Sequence, residues 1–291
     1  MLIAQLSDLH IVDRSSGAEA EREATSALRA ALARVTAFSP TPDLVLLTGD
    51  LTNNGTPGEY RILAGLLESL ELPHLLVAGN HDEREALIAE FGGSSVLPVD
   101  SGPIRYTHGL EGLRIVVADT TVPGRHDGAM DEENLAWLDA TLAADPSTPT
   151  LIAMHHPPFA TGIWWMDQAG LIEGMEGFAA VVAAHPQVVR IVSGHVHRAI
   201  TGRTGGVEAS VCPSIGRQVH LDLAVEAPPA FTHEAPALQL HVWNGSEFIT
   251  HTTQVELPGG LVHPDYGDPQ KVLERLRRRA PVYKPPAPGD A

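Results

Sequence analysis

The sequence predicts an α/β fold: a parallel sheet crossed over by helices, then a second, more antiparallel sheet, then a β-rich C-terminal extension. Three features carry that expectation. Short apolar runs alternate with helical stretches as far as Phe91, the pattern of strand–helix–strand crossovers. Two runs between residues 104 and 118 are separated only by Gly109-Leu110-Glu111-Gly112, which makes a hairpin. Beyond His197 the runs turn short and alternating, broken by Gly and Pro.

Residues 2–6 form the first strand and run directly into Ser7-Asp8-Leu9-His10. In extended backbone, residues two apart share a side, so Asp8 and His10 are expected to grip one ion. Residues 19–38, rich in Ala, Glu and Arg, carry Leu28, Leu32 and Val35 at helical spacing and stop at Ser39-Pro40. The run Leu44-Val45-Leu46-Leu47 has the length of a strand buried on both faces, and it leads through Gly49 to Asp50. A carboxylate there lies where open α/β sheets place their ligands. A helix over 57–70 crosses back to a strand over 74–78, which runs into Gly79-Asn80-His81-Asp82 and a helix over 83–91.

The hairpin follows, then a helix over 131–144 with Leu135, Leu138 and Leu142 on one face. A strand over 150–154 delivers His155-His156-Pro157-Pro158. Residues 159–177, with Trp164 and Trp165, read as an irregular aromatic loop placed to wall a pocket. A helix over 179–185 precedes a strand over 188–193 that ends in Gly194-His195-Val196-His197. The extension has strand-like runs at 199–203, 207–211, 218–223, 237–243 and 247–251 and no helix among them. A short helix with a charged face is expected over 270–279, and a Pro-rich, mobile tail over 280–291.

Composition narrows the function classes. Nineteen basic against 36 acidic residues leave a formal charge of −17, which argues against a nucleic-acid polymer or an anionic membrane as partner. No window approaches the ~20 unbroken apolar residues of a spanning helix, and Met1 leads straight into a strand, so a cytoplasmic protein is expected. Cys212 stands alone and can close no internal disulfide.

The chemistry lies at five strand ends. Asp8, His10, Asp50, Asn80, His155, His195 and His197 supply imidazole nitrogen and carboxylate or amide oxygen, donors suited to Mn, Fe, Co or Zn rather than to Ca or Mg. A single such residue is more often a cap or hydrogen-bonded turn residue than a ligand. Seven together are too many for one ion and suit two, ~3.5 to 4 Å apart, sharing one bridging carboxylate. His156 adjoins one of the seven but reads as structural; His126 and the other scattered histidines read as surface or core residues.

Taken together, Asp8-Leu9-His10, Gly49-Asp50, Gly79-Asn80-His81-Asp82, His155-His156-Pro157 and Gly194-His195-Val196-His197 resemble the five-block signature of the calcineurin-like metallophosphoesterases. The resemblance covers residues 8 to 197. It implies two packed mixed sheets flanked by helices, a dinuclear-metal core over 1–197, a β-rich element over 198–265 that completes the core, caps the site and joins subunits, and a C-terminal helix and tail over 266–291. It further implies that Asp8, His10 and His197 hold one metal, Asn80, His155 and His195 the other, and Asp50 bridges them. His81 resembles the family's substrate-facing histidine, and Asp82 is expected to orient it. The implied reaction is in-line attack on phosphorus by a bridging hydroxide.

The segment from Pro157 to Asp167 and the extension look most similar to the bacterial diesterases of this superfamily, the class III cyclic nucleotide phosphodiesterases and the glycerophosphodiesterases. Purple acid phosphatases need a tyrosine three residues after the bridging aspartate, where this chain has Asn53. Glycerophosphodiesterases carry a histidine in a Pro-Ser-x-x-His block, where this chain has Arg217, a residue still able to bind phosphate. The expected activity is therefore hydrolysis of 3′,5′-cyclic nucleotides such as cAMP, with glycerophosphodiester or promiscuous hydrolysis second. The partners expected are a small phosphodiester and, in a homodimer or higher homo-oligomer, a second copy of the chain. A non-catalytic module would need a broken ligand set, and none of the seven positions is broken.

Overall fold

The computed structural model describes residues 1–257 and 268–278. The expected mobile tail over 280–291 lies outside the described residues, as does part of the 198–265 element. Along the chain run β1 (Leu2–Leu6), α1 (Ala18–Thr36), β2 (Leu44–Thr48), α2 (Pro57–Leu67), β3 (His74–Val77), α3 (Arg84–Phe91), β4 (Tyr106–Leu110), β5 (Leu113–Val117), β6 (Gly128–Ala129), α4 (Glu132–Ala143) and β7 (Thr150–Ala153). They are followed by α5 (Trp164–Asp167), β8 (Leu171–Glu173), α6 (Met175–Ala184), β9 (Val188–Ser193), β10 (Ile200–Thr204), β11 (Val207–Val211), β12 (Gln218–Val219), β13 (Phe231–Thr232), β14 (Ala237–Trp243), β15 (Phe248–Gln254) and α7 (Pro269–Arg277).

Two mixed sheets form the body, in the orders β15-β14-β1-β2-β3 and β10-β11-β9-β7-β5-β4. In the first, β1, β2 and β3 are parallel, and β14 and β15 add antiparallel strands on the β1 side. This sheet is mixed, as the resemblance implied. In the second, β5, β7, β9 and β11 run parallel in turn, and only the outer pairs β4–β5 and β10–β11 are antiparallel. The hairpin that suggested an antiparallel sheet is its edge, because helix α4 and the long excursion before β9 carry the chain over in crossovers. The stretch expected to be an irregular loop holds α5 and the short strand β8, which pairs with β6.

Strands β1, β2, β5 and β7 are buried throughout, as their unbroken apolar runs require. One apolar cluster joins both sheets to α1, α2 and α3 through Ile3, Leu46, Ile115, Leu151, Leu28, Tyr60 and Leu87. A second packs α4 and α6 on the far face of the six-stranded sheet through Leu138, Leu142, Ile152, Phe178 and Val182. The layering is helix, sheet, sheet, helix. Truncating one such side chain, Leu46→Ala for instance, costs about 2–5 kcal/mol. Helix α2 starts where Thr56 accepts from the Glu59 amide and Glu59 returns to the Thr56 amide, with Pro57 at its first position. This capping box holds the chain just beyond Asp50.

The carboxyl ends of β1, β2 and β3 in one sheet, and of β7 and β9 in the other, converge on one edge of the molecule. Every block singled out in the sequence leaves one of these ends.

Candidate metal centre

Five loops lace together at that edge. The Asp8 and His10 amides donate to the carbonyls of Gly49 and Asp50 at 3.1 and 2.9 Å. The His81 amide donates to Asp50 Oδ1 at 2.9 Å, and the His195 amide to Asp8 Oδ1 at 3.0 Å. Gly194 donates its amide to the His155 carbonyl at 3.0 Å. Two of the glycines allow this approach: a Cβ on Gly79 would stand 2.1 Å from the Asp50 amide nitrogen, and one on Gly194 1.9 Å from Ser7 Oγ.

The backbone that presents the donors is not extended, as the two-residue spacing had implied. Asp8, His10, Asp50, His195 and His197 all take left-handed conformations, with φ of 55, 45, 48, 71 and 53°. Each costs energy for a residue with a Cβ, and such strain persists only where surrounding contacts impose it. The interloop hydrogen bonds do so here. Side chains two apart converge because the chain turns sharply at each of them.

Asp8, His10, Asp50 and His197 bring one donor atom each within 4.8 Å of one another. Asp8 Oδ1 lies 3.4 Å from His197 Nε2, and Asp50 Oδ2 lies 3.6 Å from His10 Nε2. On the other side, Asn80 Oδ1 lies 3.1 Å from His155 Nε2 and 2.9 Å from His195 Nδ1. Asp50 Oδ1 lies 3.3 Å from His155 Nε2. The two oxygens of Asp50 thus face two different donor sets.

Proton placement explains why these groups face one another. The Nδ1–H of His197 donates to the Arg217 carbonyl at 2.8 Å, and that of His155 to the Thr48 carbonyl at 2.9 Å. His10 Nδ1 meets Asn53 Oδ1 at 3.2 Å. Held this way, the imidazoles turn Nε2 inward, and those of His10 and His197 lie only 3.2 Å apart. Against burial, Asp50 raises His155 to about 9 and Asp8 raises His197, so without an ion these rings keep a proton that a metal would displace. Carboxylate oxygens and ring nitrogens this close need positive charge among them, supplied by protons on the rings or by metal cations. Asp8 and Asp50 are buried, and no Lys or Arg among the described residues pairs with either. Burial would raise the Asp50 carboxyl, but His155 and then His10 outweigh it and hold it well below the ordinary carboxylate range. The residues fit two cations, with Asp50 between them.

His156 lies within reach of His155 and His195, but both its nitrogens are committed elsewhere. Its Nε2–H donates to the His126 carbonyl at 3.1 Å, and the Thr120 hydroxyl lies 2.8 Å from its Nδ1. Burial, then His155, lowers it to about 3, so it stays neutral. His195 Nε2 is buried with no protein partner among the described residues.

Asp82 does not touch the His81 ring. Its carboxylate accepts from the amides of Leu51, Thr52 and Gly79 and from the Tyr60 hydroxyl, tying the Asp50 loop to the Asn80 loop. Asn53 takes the role expected of Asp82, its carbonyl 2.8 Å from His81 Nδ1. Arg217 is largely exposed at the rim, 3.9 Å from Glu23. His126, set aside in the sequence for want of a surrounding block, has Nδ1 3.2 Å from the Asn80 amide nitrogen and its ring 5.3 Å from that of His81. It directs Asn80 Oδ1 towards His155 and His195, and no local signal announces it.

Above the donors opens a cavity of about 690 Å³. Its floor is Asp8, His10, Asp50, Asn80, His195 and His197; its walls include Trp165, Phe231, Arg217, His81 and His126. Trp164 is not part of the lining.

A family model described as calcineurin-like phosphoesterase matches residues 1–199. The chain is 33% identical over 264 residues to a probable glycerophosphodiester phosphodiesterase of Arcobacter nitrofigilis, covering 88% of this chain and 93% of that one. It is 38% identical over 217 residues to a probable cyclic nucleotide phosphodiesterase of Synechococcus sp., covering 74% and 81%. In fold it resembles a crystal structure of a dimetal phosphatase from Danio rerio, with a TM-score of 0.60 at 16% identity over 86% of this chain and 98% of that one. No described helix is long and apolar enough to cross a membrane.

Proposed function

We propose, from the premise that the chain belongs to the calcineurin-like phosphoesterase family, that it is a metal-dependent phosphodiesterase acting on 3′,5′-cyclic nucleotides, cAMP among them. The observation that carries the hydrolytic reading is Asp50, whose two carboxylate oxygens face separate donor sets. Two divalent or transition ions held there would activate water and neutralise charge on the phosphoryl group. The chain's own residues do the rest. Asp8, His10 and His197 would hold one ion, Asn80, His155 and His195 the other, and Asp50 would serve both. His81 stands beside them, its Nδ1–H donating to the Asn53 carbonyl, so that Nε2 is turned away from that tether; in the imidazolium form Nε2–H would contact the diester and hand its proton to the leaving oxygen. Arg217 at the rim offers permanent positive charge to the phosphate.

Glycerophosphodiester hydrolysis is the second reading, favoured by the Arcobacter relative. Cyclic nucleotides rank first because Arg217 replaces the histidine expected of a glycerol site and because the cavity wall is aromatic. On this reading the protein is cytoplasmic and a homodimer or higher homo-oligomer, with subunits joined through 198–265, where Leu221, Leu223 and Val225 are exposed. A monomer at micromolar concentration in sedimentation would overturn that assembly. The activity is tested by turnover of the metal-reconstituted protein on 3′,5′-cyclic AMP, 2′,3′-cyclic AMP, glycerophosphoethanolamine and a phosphomonoester. A clear lead for 3′,5′-cyclic AMP is expected; preference for glycerophosphoethanolamine would reverse the ranking.

A further inference from the structure

One wall of the cavity carries two aromatic rings in succession outward from the floor. The Phe231 ring lies 5.9 Å from the His197 ring, and the Trp165 ring lies 6.0 Å beyond it at 69°. Trp165 rests on a small apolar cluster of Ile163, Met166, Val196, Val211 and Val219. Phe231 is 53% exposed although it lines the cavity, so much of its ring has no protein partner. A lone exposed phenylalanine is ordinary on a protein surface. This one stands beside a candidate metal ligand, continues into a second aromatic ring, and is held in place.

The holding is specific. Phe231 pairs with Val219 in the β12–β13 ribbon. Arg198, the residue after His197, donates to the Val219 carbonyl at 2.6 Å and grips the Glu234 carboxylate with both terminal nitrogens at 2.9 and 3.1 Å. The His197 ring itself donates to the Arg217 carbonyl at the head of the same ribbon. The aromatic surface is therefore mounted on the segment that presents His197. Across the cavity, α1 contributes Ala20, Ala24 and Ala27, side chains small enough to leave a slot open.

We propose that the exposed face of Phe231, buttressed by the steeply inclined Trp165 ring, forms a stacking shelf for the planar heterocyclic base of a nucleotide diester whose phosphate rests on the donor cage. This rests on the phosphodiesterase reading and names the part of the substrate that the metal ligands do not recognise. A flat ring stacked on Phe231 lies one sugar away from a phosphate held at His197. Glycerol and ethanolamine groups have no face to stack and gain nothing from the shelf.

The test uses the full chain, reconstituted with manganese, in Phe231→Ala, Phe231→Leu and Phe231→Tyr forms. Loss of one stacking contact is worth about tenfold in binding. Phe231→Ala is expected to raise KM for 3′,5′-cyclic AMP about tenfold with kcat little changed, and to leave both constants for glycerophosphoethanolamine unmoved. Phe231→Tyr should behave as wild type and Phe231→Leu nearly as Ala, since Leu keeps the apolar area without a flat face. Independently of turnover, 5′-AMP should quench tryptophan fluorescence in the wild type, weakly in Phe231→Ala, and not at all in Trp165→Phe. Equal KM changes on both substrates, full function with Leu, or 5′-AMP quenching unaltered by Phe231→Ala would each overturn the shelf. A wild type that cleaves glycerophosphoethanolamine and not cyclic AMP would refute the substrate ranking instead; the quenching series then decides the shelf alone.

Discussion

Asp50 and Phe231 line the same cavity but are held in opposite ways. Asp50 is 2% exposed, sits at a left-handed φ of 48°, and accepts an amide from the neighbouring loop. Phe231 is half exposed on a strand of two residues. The floor is over-determined and the wall is not. Ion binding needs donors placed to a few tenths of an ångström, which only interlocked backbone provides. A stacking wall tolerates sliding, because attraction between flat rings changes slowly with offset.

The comparison breaks most visibly at the floor. Asp50→Ala should reduce turnover to background and leave the protein unable to retain both ions, measured by elemental analysis after gel filtration; a variant with full activity and two ions would refute the bridging role. One layer out, Asn53→Ala removes the amide oxygen from His10 Nδ1 but no direct donor. Metal affinity should fall roughly 10- to 100-fold, read by competition with a chelating dye. Unchanged affinity would mean that His10 is oriented by the cage alone.

Beneath the floor, Gln5 donates to Thr48 Oγ1 and to the Ser193 carbonyl, and accepts from His241 at 2.8 Å, so a buried polar chain seats β2 and β9 against each other. Burial, then Arg190, depresses His241 to about 3 from its ordinary 6.5. A base lowered in this way contributes stability that is complete at neutral pH and is lost as pH falls from about 6.5 towards 3. Between pH 7 and pH 5 this one group should cost about 2 kcal/mol of unfolding free energy. Urea denaturation at both pH values checks it: His241→Gln should be flatter than wild type by that amount, and parallel curves would remove His241 from the account.

At the rim the smallest effect is expected. Arg217 is largely exposed, and its nearest charged partner, Glu23, is 3.9 Å away. Arg217→Ala should raise KM several-fold for any diester, with kcat nearly constant, since an exposed guanidinium is screened by solvent. A collapse in kcat would move Arg217 from the wall into the catalytic floor.

How far the sequence could be read follows the same division. The strands were legible because runs such as Leu44–Thr48 are apolar throughout, and strand ends carrying Asp50, Asn80, His155 and His195 stand out against them. The parallel character of the second sheet was not, since the hairpin at its edge was the stronger local signal. His126, Phe231 and Asn53 escaped because each acts on a residue at least 28 positions away, and none carries a motif of its own.

By itself the sequence determined which groups lie at the ends of buried strands, because alternation, run length and glycine placement are local properties of a chain. Only the tertiary structure decided that Asp8, His10, Asp50, His195 and His197 turn inward, since their left-handed backbone is imposed by hydrogen bonds between loops as much as 187 residues apart. It alone decided what stands over them as well. An aromatic wall is defined by the surface it faces, and the residues on either side of that space meet only after both sheets have packed.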